Sequence, residues 1–281
     1  MADAPKKIVL AYSGGLDTSV ILPWLKERYP GVKLVAFACE LGQGDELEGI
    51  EKKAYDSGAD EVVIADLRQE FAEDFCLPML RTHAVYENDY LLGTSVARPL
   101  IAKAQVDAAK KTRADAVAHG ATGKGNDQVR FEITYKALNP KLKIISPWKD
   151  QKFLDDGLDS REGAVDYAKK HDVPIAQSKK KIYSRDRNLW HISHEGAEIE
   201  DPAAEPKWND CLVTVTPVEK APNKAEYVEV EFKAGTPIAV NGEKLPGHEL
   251  IAALNEIGGK HGVGIALLAE NRLVGMKSRG V

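Results

Sequence analysis

Through the first half of the chain, short apolar runs alternate with longer stretches in which apolar positions recur every three or four residues. The runs lie at 8–12, 34–38, 62–64, 114–118 and 144–145. Most are near-continuous rather than alternating, which predicts strands buried on both faces, as parallel strands covered by helices are. Leu16, Val20 and Trp24 recur at i+4 with Ile21 and Leu25 beside them, predicting a helix with one apolar face. Leu47, Ile50 and Ala54 repeat that pattern, and residues 100–109 predict an alanine-rich helix started by Pro99. Strand and helix in strict alternation predict an α/β chain built on a doubly wound parallel sheet.

The pattern changes after about Asp172. Residues 201–206 and 220–224 are Pro- and Asn-punctuated loops, while Val228, Val230 and Phe232 alternate with Glu229 and Glu231, which predicts a strand with one wet face. A second, α+β domain is expected, with the chain divided into residues 1–173 and 174–281. Two domains suit a length of 281 residues.

Charge narrows the range of partners. With 43 acidic against 38 basic side chains the net charge is -5, so no general field exists to hold a nucleic-acid backbone. No stretch of roughly 18 apolar residues runs uninterrupted, so no membrane segment is expected. Cys39, Cys76 and Cys211 are far apart with no CxxC, which gives neither a disulfide framework nor a Cys-rich zinc site and suits a reducing, cytoplasmic setting. His191 and His194 lack a metal-ligand spacing and are expected to pack or hydrogen-bond. The lysine run at 179–181 is expected to be a solvated turn, and Cys76, flanked by Phe75 and Leu77, a core residue.

Two glycine-rich segments fall where a doubly wound sheet presents its ligand crevice. The first, SGGLDTS at 13–19, joins the first predicted strand to the first helix. Its glycines allow a tight turn and close approach of backbone to ligand, and the amides that open a helix favour an anion. Ser13, Thr18 and Ser19 add hydroxyl donors. The alternative is a polar turn in which Ser13 caps the helix. The string is neither GxxxxGK[ST] nor GxGxxG, so a Walker NTPase and a dinucleotide dehydrogenase both lose support. The second, HGATGKGNDQVR at 119–130, follows the fourth predicted strand and reaches the same sheet edge. Glycines 120, 123 and 125 leave Thr122, Asn126, Asp127 and Arg130 to converge with backbone amides. Capping of a helix near Gln128 by Asn126 and Asp127 is the alternative. It does not need three glycines, and Arg130 suits a bidentate carboxylate clamp.

The first segment resembles the pyrophosphate loop of the N-type ATP pyrophosphatases, which cleave ATP between its α and β phosphates. With YLLGTSVARP at 90–99, the segment at 119–130, YSRDRNLWHISHEG at 183–196 and ENRLVGMKSRG at 270–280, the chain resembles the argininosuccinate synthase family over nearly its whole length. The resemblance implies an adenine nucleotide alpha hydrolase-like first domain. By it, ATP is held by Ala11, Tyr12, Ser13, Gly14, Gly15, Leu16, Asp17, Thr18, Ser19, Cys39 and Gly120, with Cys39 where the family commonly has an alanine beside the adenine. Aspartate falls to Thr122, Asn126 and Asp127. Citrulline falls to Tyr90, Ser95, Asn126, Arg130, Ser184, Ser193 and Glu270. Ser13, Asp17 and Asp127 are the expected catalytic set; no protein metal site is expected, and Mg²⁺ enters with ATP.

The implied reaction makes argininosuccinate, AMP and diphosphate through a citrulline adenylate, in arginine biosynthesis. The rivals are another ATP pyrophosphatase, such as a tRNA thiolation enzyme, and an ATP-binding module without turnover. Family members continue with a tyrosine that contacts citrulline and a region used in tetramer assembly. A chain stopping at Val281 is therefore expected to bind ATP nearly normally, to bind citrulline poorly and to form a smaller homo-oligomer.

Overall fold

The computed structural model describes residues 4–123, 125–174, 183–272 and 275–280, with 272 and 275–279 described through their backbone alone. Lys124 and the lysine run at 179–181 lie outside them. In chain order, β1 (Lys7–Ala11), α1 (Leu16–Arg28), β2 (Lys33–Glu40), α2 (Ile50–Asp56) and β3 (Glu61–Asp66) are followed by α3 (Arg68–Glu70), a π-helical stretch (Phe71–Cys76) and α4 (Leu77–Thr82). Next come α5 (Gly93–Thr112), β4 (Ala116–Ala118), α6 (Asn126–Leu138), β5 (Lys143–Ile145), α7 (Gln151–Asp155) and α8 (Arg161–Lys170). Then follow β6 (Ser184–Arg187), β7 (Ile192–Glu195), α9 (Trp208–Cys211), β8 (Val230–Lys233), β9 (Thr236–Val240), β10 (Glu243–Lys244), α10 (Gly247–Lys260), β11 (Leu268–Arg272) and β12 (Gly275–Gly280).

The described chain forms two compact units. The first comprises residues up to Glu40, Gly44–Asp66 and Ser95–Gln177; the second takes in Leu41–Gln43, Leu67–Thr94 and everything from Ser178.

All five expected strands form, joined in the parallel order β3-β2-β1-β4-β5. Ile8, Val9 and Leu10 of β1 and Leu34, Val35 and Ala36 of β2 are fully buried, as near-continuous apolar runs demand. The chain order reverses between β1 and β4, so their carboxyl ends flank the switch point of the sheet. The single apolar face expected of α1 is exceeded. Thr18, Ser19, Val20, Ile21, Leu22, Trp24 and Leu25 are all buried, because Ala164, Tyr167 and Ala168 of α8 join α1 in the same core cluster. The expected helix start at Pro99 is corrected: α5 begins at Gly93 with Pro99 in its interior. Proline there forfeits one backbone bond, and burial of Ala97, Leu100 and Ala102 on the same helix carries the segment across it.

The second unit is antiparallel. One sheet has the order β10-β9-β8 and the other β11-β12-β7-β6. α10 lays Leu250 and Ile251 into its core, and Gly247 meets Leu77 and Ala72 of the preceding helical run. The strand expected around residues 228–232 forms as β8 only from Val230 onward, and its apolar side stays wet, with Val228 just before it 38% and Phe232 59% exposed. β8 is an edge strand, and the register shift between Glu231 and Phe232 breaks the simple alternation.

Candidate active site

Both glycine-rich segments close at the start of a helix. α1 opens on Gly15 (φ -69°, ψ 167°) and α6 on Gly125 (φ -104°, ψ 170°), and neither has a side-chain cap. In the same unit α7 and α8 carry conventional caps, Asp150 accepting from the Lys152 amide and Ser160 from the Gly163 amide, whereas α2 opens on Gly49 in the left-handed region (φ 67°) without a side-chain cap. A helix start without a side-chain cap at a sheet switch point leaves first-turn amides and the positive dipole end for an external acceptor. Here two such starts follow neighbouring strands, and the loops touch: a Cβ on Gly120 would lie 3.0 Å from Thr18 Cγ2.

Within the first loop, the Ser13 hydroxyl accepts from the Gly15 amide at 3.3 Å and bonds the Thr18 hydroxyl at 3.1 Å. Ser13 therefore braces the turn and stays exposed. Tyr12 and Ser19 are buried against each other, their hydroxyls 3.1 Å apart. Gly14 has φ +72° and packs on Ile50 of α2, while Lys53 one turn further donates to the Gly14 carbonyl. Asp17 stands in the first turn of α1; desolvation raises its carboxyl, and Arg161 opposes that rise. Cys39, next to last in β2, is a buried thiol that burial pushes up to about 12 despite Arg98, so it presents a small neutral surface.

The second loop is organised by charges and by one buried histidine. Asp127 does not cap α6. Its two oxygens take Arg98 Nε at 2.9 Å and an Arg130 guanidinium NH at 2.8 Å. Burial alone would raise its carboxyl, and the Arg98 and Arg130 guanidiniums outweigh that, holding it below the usual carboxylate range. Thr122 and Asn126 are exposed beside it. His119 is fully buried. Its Nδ1 accepts from the Ala121 amide at 3.3 Å, so the ring hydrogen sits on Nε2, 3.1 Å from Ser146 Oγ. Ser146 in turn donates to Glu132, which also takes Lys149. Burial pushes His119 down to about 4, with Glu132 opposing, so the imidazole is neutral at pH 7. Gln105 of α5 donates to the carbonyls of Val9 and Ala118 at 2.7 and 2.9 Å and accepts from Tyr135, pinning α5 and α6 to the strands that carry the two loops.

Of the residues expected for citrulline, Ser95, Asn126 and Arg130 belong to the first unit and Tyr90, Ser184, Ser193 and Glu270 to the second. Ser184 pairs with Glu195 across β6 and β7, and Asp186 with Ser193. Since paired and alternate residues of a sheet share a face, Ser184 and Ser193 point to one side. The register continues through Gly280 opposite Glu195 and Ser278 opposite Glu270, which puts Glu270 on that same face. Tyr90 packs against His191 with centroids 5.4 Å apart and the rings tilted by 37°, and Tyr86, its bridge partner, donates to the Asn271 carbonyl next to Glu270.

Arg98, Lys53, Gln105 and His119 escaped the sequence reading as site residues. Arg98 and His119 lie inside motifs that were singled out; Lys53 and Gln105 carry no local signal. Among the described residues, no group of three or more His, Cys, Asp or Glu is placed to hold a metal ion. Among the described residues, no helix is long and apolar enough to cross a membrane.

The family model for the arginosuccinate synthase N-terminal HUP domain matches residues 7–174, and that for the arginosuccinate synthase C-terminal domain matches residues 183–281. The chain is 62% identical over 276 residues to the argininosuccinate synthase of Carboxydothermus hydrogenoformans, covering 98% of this chain and 67% of that protein. It is 58% identical over 277 residues to the chloroplastic argininosuccinate synthase of Arabidopsis thaliana, covering 98% of this chain and 55% of the plant protein. Against the argininosuccinate synthase of a Roseiflexus species it is 54% identical over 281 residues and spans 68% of the relative. The chain thus spans between about half and two thirds of the length of these relatives.

Proposed function

The chain belongs to the argininosuccinate synthase family of ATP-dependent ligases, and from that premise we propose that it joins citrulline to aspartate at the expense of ATP. The observation that carries the reading is the pair of helix starts without side-chain caps on neighbouring strands, each opened by a glycine.

The ureido group of citrulline is neutral and its oxygen a poor leaving group, so it must be activated. Its oxygen attacks the α-phosphorus of ATP; the bond to the β-phosphate oxygen breaks and diphosphate leaves. The amides of residues 14–18 and the Ser13 hydroxyl hold that diphosphate at the start of α1, where charge develops as it departs. Lys53, tied to the Gly14 carbonyl, keeps the loop in shape and adds positive charge. Asp17, in the first turn of α1, is the carboxylate that would face a Mg²⁺ ion bound with the phosphates, and such an ion would share their charge. In the second step the aspartate amine attacks the activated ureido carbon and AMP departs with the former ureido oxygen.

Thr122, Asn126 and Asp127 receive aspartate. Asp127, fixed between two guanidiniums, serves as an anchor for the aspartate ammonium group, and its lowered proton affinity makes it a weak general base. A phosphate oxygen of the substrate is the better proton acceptor in the second step. Tyr90, Ser95, Asn126, Arg130, Ser184, Ser193 and Glu270 receive citrulline. The reading extends to a cytoplasmic homo-oligomer, checked by light scattering. Diphosphate release measured with each amino acid omitted in turn tests the chemistry. Release that requires citrulline, stops after a single turnover without aspartate and continues when both are present supports it; release with ATP alone overturns it.

A further inference from the structure

The loop that carries Tyr90 is bent through backbone that side chains rarely adopt. His83, Glu87, Asn88 and Leu92 all have positive φ, between 50° and 75°. Such a loop keeps one shape only where the surroundings over-determine it, and its carboxyl end runs straight into α5. The group that meets it there is His191, set aside in the sequence as a packing or hydrogen-bonding residue.

His191 Nε2 lies 3.2 Å from the Thr94 amide nitrogen and 3.2 Å from the Thr94 hydroxyl. An amide nitrogen can only donate, so Nε2 is the acceptor and the ring hydrogen sits on Nδ1. The imidazole thus caps the first turn of α5 from a distant part of the chain. Its ring packs against Tyr90 at a tilt of 37°, and Gly93 is packed so closely that an added Cβ would lie 2.7 Å from His191 Cδ2. The ring itself is held from behind. Asn188 Oδ1 accepts from the Trp190 and His191 amides at 2.9 and 3.2 Å, and the Trp190 indole donates to the Leu91 carbonyl at 3.0 Å.

We propose that His191 is a positioning residue for citrulline: one imidazole packs against the Tyr90 ring and fixes the amide next to Ser95. It rests on the functional reading above, in which Tyr90 and Ser95 contact citrulline. His191 acts through those two residues and touches no reacting atom, so its loss appears in citrulline binding rather than in ATP binding or in the chemical step.

The test compares His191→Ala, His191→Gln and Gly93→Ala with the parent, by steady-state kinetics and by amide hydrogen exchange at Thr94. Gln places an acceptor oxygen near the position of Nε2 but has no ring to pack against Tyr90. His191→Ala should raise the KM for citrulline about tenfold, the scale of one lost hydrogen bond, with kcat and the KM for ATP within about twofold of the parent. His191→Gln should restore the protection of Thr94 and recover part of the citrulline KM. Gly93→Ala should mimic His191→Ala, and the double variant should be no worse than either single, because removing the ring makes room for the added methyl. A citrulline KM unchanged in His191→Ala, or an ATP KM that rises equally, overturns the proposal. The exchange measurement needs no substrate: a Thr94 amide equally protected in parent and His191→Ala overturns the clamp itself, whereas ATP cleavage indifferent to citrulline would overturn the functional reading alone.

Discussion

At Gly14 a single residue sets whether the phosphate loop can exist. Its φ of +72° is a conformation that branched residues avoid, and an added Cβ would lie 3.3 Å from Ile50. Gly14→Val should therefore reduce ATP affinity at least about a hundredfold, through strain and loss of the phosphate-facing turn; calorimetric titration that finds ATP bound within a few-fold of the parent would show the assignment wrong. Arg98 makes a different argument. It shares Asp127 with Arg130, so Arg98→Met leaves a half-covered carboxylate with one partner and should raise its pKa. The KM for aspartate should rise about tenfold, the scale of one charge-assisted bond, while calorimetric ATP affinity stays near the parent's. An unchanged aspartate KM would mean that Arg130 alone suffices. Arg98 stood in the motif at 90–99, but nothing in a linear string says that its guanidinium ends on a carboxylate 29 positions away.

At the scale of elements, a helix start without a side-chain cap marks a ligand site where it also falls at the switch point of the sheet, as those of α1 and α6 do and that of α2 does not. α7 and α8 are capped by their own Asp150 and Ser160; α1 and α6 open on bare glycines. Gly15 has an ordinary φ of -69°, and a Cβ there would meet only the Ser13 hydroxyl at 3.3 Å. Gly15→Asp should thus be tolerated by the fold, raising stability by a few tenths of a kcal/mol as a side-chain cap forms. The same carboxylate fills the anion site with negative charge, so ATP affinity should fall at least about tenfold. Thermal melting beside ATP titration reads both; a variant that binds ATP normally would show that phosphate does not use this helix start. The strands were legible because continuous apolar runs report burial on both faces. The start of α5 was not, because Pro99 signals a boundary locally while burial of its flanking residues overrides it. The bare side of β8 was missed for a related reason: alternation encodes a strand with two unlike faces but not whether the apolar one finds a partner.

For the molecule as a whole, His119 couples the site to stability. Its folded pKa of about 4 lies below the ordinary 6.5 because burial disfavours the charged ring. The sign is then fixed: above pH 6.5 both states are neutral and the stability is fully present, and as pH falls from 6.5 toward 4 only the unfolded chain takes up the proton. Roughly 3 kcal/mol is lost across that window, at about 1.4 kcal/mol per pKa unit. Asp127 and Glu132, held low in the folded state, also lose stability as pH falls, so the comparison must be made against a variant. His119→Asn keeps an acceptor for the Ala121 amide, and its urea midpoint should fall less between pH 6.5 and 4 than the parent's. Parallel curves would show that the ring is not buried neutral. The sequence by itself determined the parallel sheet, the placing of two glycine-rich loops at its carboxyl edge, and through its motifs the family, since apolar periodicity and glycine spacing are local records of burial and turn geometry. Tertiary structure alone decided that Asp127 faces two guanidiniums, that His119 carries its hydrogen on Nε2, that Ser184, Ser193 and Glu270 share a face, and that His191 meets Thr94 and Tyr90. Those facts depend on strand register and on partners brought together by packing, from near neighbours such as Ala121 beside His119 to Thr94, 97 positions from His191, which only the folded chain selects.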